Sequence, residues 1–167
     1  GHHRRQRQMC IRDRFNNIGC ASCHMPTLPL KSLMFVEPGP LNTEISTTIV
    51  ESKKTLVVNL EDYVSKLDKD EDGNYLIPIW SDLKRHDMGS KLDNERPLQK
   101  GVPTNYWLTK KLWGFYSEPP FLHHGRANLL NDVIEMHQGD AKISSDAYFE
   151  LDSSEQQYLI EFLKSFK

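Results

Sequence analysis

The chain has no apolar run long enough to cross a bilayer, no excess of positive charge and only three cysteines. Each shortage removes a class of function. A membrane span needs roughly 18 to 20 consecutive apolar residues, so no span is expected. The 21 lysines and arginines are outnumbered by 23 aspartates and glutamates, giving a formal net charge of -2 at pH 7. That leaves no broad basic surface, and no nucleic-acid partner is expected. At 167 residues the chain can bury a core without disulfide staples. Its first fourteen residues, GHHRRQRQMCIRDR, lack the apolar h-region of a secretory leader. They read as a tag, a scar or a disordered arm over 1–14, ahead of one domain over 15–167. Cys10 goes with the arm, which leaves Cys20 and Cys23 as the cysteines of the domain.

Periodicity points to helices at the far end. In ANLLNDVIEMHQG, Leu129, Leu130, Val133, Ile134 and His137 share a face, and Gly139 is a stop. In LDSSEQQYLIEFLKSFK, Asp152 or Ser153 caps, Glu155 or Gln156 completes a capping box, and Tyr158, Leu159, Phe162, Leu163 and Phe166 form the apolar stripe. Earlier, Pro29, Pro38, Gly39 and Pro40 break residues 27–50 into a long loop, KKTLVVNL (53–60) offers one strand, and 61–67 a helical turn. One strand makes no sheet. The expected fold is therefore all-α, a helical domain with long irregular loops.

The stretch NNIGCASCHMP carries chemistry. Cys20, Cys23 and His24 form C-x-x-C-H, the attachment pattern of c-type haem. Two thiols at that spacing add to the two haem vinyl groups, and the next residue offers its imidazole to the iron. A thioredoxin-like dithiol needs a neighbouring βαβ pattern, and a zinc site needs a second ligand pair at similar spacing. Neither pattern is visible, so covalent haem c is the preferred reading. A porphyrin also gives long loops a large apolar surface to pack on, with Trp80, Trp107, Trp113, Phe115 and Phe121 among the candidate lining residues.

His24 leaves one face of the iron to fill, and the identity of the second ligand sets potential and reactivity. Met88 in RHDMGS is the first candidate, because a thioether has no evident surface role in a polar turn. His86 is the nearest competitor, followed by His123, His124 and His137. Arg126, and less so Arg85, suit haem propionates, since a guanidinium fork matches a carboxylate. A second metal is suggested by DKDEDG, where Asp68, Asp70 and Asp72 alternate before Gly73 as in the first half of a calcium loop. Ile79 stands where such a loop needs its bidentate glutamate.

From Phe15 onward, GCASCHMP, then IPIWSDLKRHDMG, then TKKLWGFYSEPPFLHHGRANLLNDVIEMHQGDA and finally EQQYLIEFLKSF together resemble the C-terminal haem half of the di-haem oxidoreductases. These are peroxidase-type proteins, some called thiol oxidoreductases, related to bacterial di-haem cytochrome c peroxidase and to MauG. The resemblance implies a cytochrome c-like helical fold around a covalent haem. It implies thioether bonds at Cys20 and Cys23, with His24 and Met88 as the iron ligands. Members of the wider group hold two haems, whereas this chain has one C-x-x-C-H. It reads as the electron-transfer half, whose partner is a redox protein or a second haem domain. Haem c is normally attached outside the cytoplasm, so a periplasmic or exported location is expected. The alternative is a haem peroxidase with an open or weakly held sixth iron position, in which His86 or His123 acts as acid and base on peroxide. The histidine at 124 stands where the related turn has an aspartate.

Overall fold

Apolar residues at helical spacing near the two termini build the core. In a computed structural model, residues 11–37, 56–93, 101–117 and 119–166 are described, apart from the Glu37 side chain. The arm expected over 1–14 lies outside the described residues as far as 10, Cys10 included. Residues 11–17 form helix α1, which buries Phe15 and is followed at once by the buried Ile18. The C-terminal helix α5 (Ser153–Lys164) meets that face with Leu159 and Leu163. Arg14 of α1 pairs with Glu155 of α5. Asp152 caps α5, its carboxylate accepting from the Ser154 and Glu155 N–H groups at 2.9 Å each.

Two shorter helices complete the cluster. Helix α3 (Leu130–Glu135) buries Leu130, and α4 (Lys142–Glu150) buries Ser145 and Tyr148. The polar groups of α4 are paid for inside the fold: Ser145 donates to the Ile134 carbonyl at 2.7 Å and Tyr148 to Asn131 at 2.8 Å. Phe121 and Ala127 bridge across the 121–127 turn and add to the same core.

The all-α expectation is wrong. The described residues contain three two-stranded antiparallel sheets. Strand β1 (Leu28–Leu30) pairs with β4 (Tyr75–Ile77), β2 (Met34–Glu37) with β3 (Leu56–Asn59), and β5 (Arg85–Asp87) with β6 (Tyr106–Leu108). The one strand foreseen, over 53–60, contains β3, but its partner comes from the segment read as loop. Strands of three or four residues carry too few positions to display an alternation. Residues 27–78, with β1 to β4 and the short helix α2 (Glu61–Val64), form one compact unit. Residues 1–26 and 79–167 form the other, which contains β5, β6 and the helical core.

Candidate cofactor-binding site

The C-x-x-C-H segment is positioned by the end of α1. Gly19 lies at φ 88° and turns the chain into a 3-10 turn over Cys20–Ser22. A Cβ at Gly19 would meet Ser144 Oγ at 2.8 Å, so glycine serves both the left-handed turn and the close approach of α4. The two thiols are free. Burial pushes the Cys20 thiol up to about 11, with Cys23 adding to the rise and a backbone hydrogen bond opposing it. Burial also raises Cys23, followed by the carboxylates of Asp82 and Asp140, against a hydrogen bond from Ser22. Both sulfurs are protonated thiols at neutral pH.

Opposite them runs the loop 80–83, whose ends are held in the left-handed region: Trp80 at φ 53° and Leu83 at φ 56°. Such conformations cost about 1–3 kcal/mol each in a non-glycine residue and persist only where the surroundings enforce them. Here four hydrogen bonds do so. Trp80 N–H donates to the Pro26 carbonyl at 3.3 Å and Asp82 N–H to the Cys23 carbonyl at 2.8 Å. The buried Ser81 hydroxyl donates to the Thr109 carbonyl at 2.7 Å and accepts from Leu83 N–H at 3.0 Å. The Trp80 ring packs among Phe15, Phe162 and Phe166.

The loop thus presents the Trp80 carbonyl to His24 Nδ1 at 3.1 Å. A carbonyl can only accept, so Nδ1 carries the proton and Nε2 holds the lone pair. Burial, then the neighbouring His137, push His24 down to about 4, against the Trp80 and Lys110 carbonyls and Asp82. The ring is therefore neutral. His137 repeats the arrangement at the end of α3: its Nδ1 donates to the Val133 carbonyl at 2.7 Å, and burial lowers its pKa. The two rings lie 6.5 Å apart, centre to centre, with their planes at 44°. Two imidazoles sharing one metal at about 2.0–2.1 Å from each nitrogen have ring centres roughly 6 Å apart.

The other expected residues fall elsewhere in this unit or outside it. Met88 is half-buried, and its N–H donates to the Asn105 carbonyl at 2.8 Å. Its turn is closed by Gly89 and docks on residues 138–139. His86 pairs with Asp82 at 2.7 Å. Trp113 is 39% exposed, with Lys111 over its ring, and the exposed Arg126 donates its N–H to His124 Nδ1 at 3.1 Å. That acceptor role puts the His124 proton on Nε2, which is buried and has no hydrogen-bond partner among the described residues. His123 stacks on Trp107 at 3.8 Å. In the other unit, Asp70 uses its carboxylate on Asn74, at 2.8 Å to the N–H and 3.0–3.2 Å to the side-chain amide. Asp68, Asp70 and Asp72 do not converge; among the described residues the one group of three with metal-ligating atoms is Cys23, Asp82 and His86.

In the sequence His137 stands behind Met88 and His86, level with His123 and His124, and the Trp80 carbonyl has no role. A helical period linking Val133 to His137 was the available signal for the first, whereas a backbone acceptor has none. A sequence model of a family described as "di-haem oxidoreductase, putative peroxidase" matches residues 70–166, more than half of the chain. That span takes in Asp82, His86, Met88 and His137 and begins after the C-x-x-C-H segment. No curated protein and no solved structure matches the chain.

Proposed function

Because the chain belongs to the di-haem oxidoreductase family, we propose that it is a c-type cytochrome domain holding one covalent haem and passing electrons to a partner haem. The observation that carries this reading is His24: a neutral imidazole whose Nδ1–H is committed to the Trp80 carbonyl, leaving the Nε2 lone pair for iron. The residues present fit the group. Cys20 and Cys23 supply two thiols, the Trp80 carbonyl fixes the ring of His24, and the core aromatics supply apolar surface. Bound haem brings a one-electron couple whose potential depends on the second axial ligand.

For that position we favour His137 over Met88, since its ring centre lies 6.5 Å from that of His24 and both rings carry the proton on Nδ1. Arg126, exposed beside His124, is the expected partner for a carboxylate of the cofactor. The partner is a second haem domain or a separate redox protein, and the site of attachment chemistry implies a periplasmic or exported chain. A second reading, a peroxidase with an open iron, is favoured by the His86–Asp82 pair at 2.7 Å, a geometry suited to an acid/base imidazole.

The test is a set of visible spectra of protein matured in a host that attaches haem c, recorded oxidised, reduced and reduced with carbon monoxide. A low-spin wild type indifferent to carbon monoxide is expected. His137→Ala should turn it high-spin and carbon-monoxide-reactive, while Met88→Ala should leave it low-spin. The reverse pattern assigns the ligand to Met88. A high-spin wild type supports the peroxidase, and failure to attach haem overturns both readings.

A further inference from the structure

The unit formed by residues 27–78 carries an apolar surface that has no part in the cofactor site. Strands β2 and β3 pair with each other and, among the described residues, with no third strand. In this register Met34, Val36 and Val57 share one face of the ribbon, and Phe35 and Leu56 share the other. All five are between 41% and 52% exposed, so both faces meet solvent. A lone pair of strands is marginal in water and gains from further strands beside it.

The two edges of the ribbon differ. Leu60 N–H donates to the Leu33 carbonyl at 2.8 Å, which makes 33 with 60, 35 with 58 and 37 with 56 the hydrogen-bonded pairs of the ladder. The main-chain groups of Met34 and Val36 on β2, and of Val57 and Asn59 on β3, therefore point outward. On β2 the Ser32 hydroxyl accepts from Met34 N–H at 3.1 Å and donates to the Met34 carbonyl at 3.2 Å, which closes half of that edge. Val57 and Asn59 have no such cover among the described residues, and the Asn59 side chain turns instead to Glu61 N–H at 2.9 Å. Charge then distinguishes the possible neighbours of β3. In the sequence Lys53 and Lys54 precede it, and Glu61 and Asp62 follow it. A second β3 laid antiparallel brings a basic end to an acidic end on both sides, whereas a parallel one sets like charge beside like.

We propose that β3 pairs antiparallel with β3 of a second copy of this chain, about a two-fold axis at Val57, to make one four-stranded sheet in the order β2, β3, β3, β2. In that register the two Val57 residues exchange both main-chain hydrogen bonds, and Leu56 of each copy lies against Val58 of the other. Because Ser32 closes half of the β2 edge, the pairing stops at four strands and does not run on as a filament. A four-residue edge buries less than the about 1,200 Å² of a standard interface, so the dimer is weak and forms as concentration rises. The pairing uses residues of the 27–78 unit alone. It leaves Cys20, Cys23 and His24 to the cofactor and holds whichever reading of the haem site is correct.

The test is sedimentation velocity on the full chain from a host that attaches haem c, in a Cys10→Ser background and under reductant so that no disulfide joins two copies. The sedimentation coefficient should climb from monomer to dimer with concentration. Val57→Pro removes the outward N–H, a loss that an edge strand tolerates, and should keep the chain monomeric throughout. Val57→Arg should do the same by placing two like charges on the axis. Lys53→Glu with Lys54→Glu, and separately Glu61→Lys with Asp62→Lys, should each be monomeric alone and should dimerise when mixed. A wild-type chain that stays monomeric at every concentration would leave the ribbon to a different protein and overturn the proposal. So would a dimer that survives both Val57 variants, or charge variants that do not associate on mixing while circular dichroism finds them folded.

Discussion

At the scale of single residues, the direction of one proton sets what His24 can do. The Trp80 carbonyl takes the Nδ1–H, and the opposite nitrogen holds the lone pair. Nothing in the residue at 80 announces this, because the acceptor is a backbone group that every residue carries. The C-x-x-C-H segment, by contrast, was legible from five consecutive positions. Cys20 offers a direct check on the burial that surrounds it. Its folded value of about 11 lies above the ordinary 9.0, so the folded state favours the protonated thiol. That contribution to stability is complete below pH 9 and is lost as pH rises from 9 toward 11, by about 2–3 kcal/mol in all. Iodoacetamide should label Cys20 in the folded, haem-free chain far more slowly than a free thiol at pH 8, and denaturant midpoints should fall across pH 9–11. Rapid labelling at pH 8 would mean that the half-buried Cys20 is not shielded by the core it packs against.

At the scale of elements, the HDMG turn is fitted to the segment after α3 with little room. A Cβ at Gly139 would meet the Asp87 carbonyl oxygen at 2.3 Å, and the residue sits at φ 56°. Gly73, also at positive φ (81°), faces open space. Gly73→Ala should therefore cost only the backbone term, about 1 kcal/mol, while Gly139→Ala should cost at least twice that, because it displaces backbone rather than a flexible side chain. Urea denaturation of both variants decides it; equal costs would mean that the two segments part easily. Asp152→Ala should lower stability by about 1 kcal/mol through loss of the α5 cap. That cap and the Leu159–Leu163 stripe were readable in the sequence. The capping-box partner was not: Gln156 reaches back to the Leu151 carbonyl at 3.1 Å, and Glu155 is drawn to Arg14. Helix α4 gave no apolar stripe to read, since one of its two buried positions is a serine and Ile143 is exposed.

At the scale of the whole molecule, helices α3 and α5 were foreseen and α4 and the sheets were not. Tertiary pairing decides a three-residue strand such as β1 or β5 more than its own composition does. The buried cluster around Phe15, Tyr148 and Leu159 belongs to the unit that also holds the candidate ligands. A haem held by thioethers would stay on the chain when it unfolds, so it would stabilise the fold only through the iron ligation and packing that the folded state alone provides. The haem-loaded chain should thus unfold at a higher denaturant concentration than the haem-free chain. Cys20→Ala combined with Cys23→Ala should remove the difference along with the colour. Equal midpoints would indicate that the porphyrin contributes no packing.

Trp80 joins these scales. Its ring is wedged between residues of α1 and α5, and its carbonyl is the acceptor that fixes His24. An indole in that position is also an optical gauge. A porphyrin attached at Cys20 and Cys23 would lie close enough to drain its excited state, so the emission of Trp80 should be dark in the loaded chain and bright in the haem-free one. Comparison with Trp80→Phe separates its light from that of Trp107 and Trp113, and the same glow would time the arrival of the cofactor during assembly.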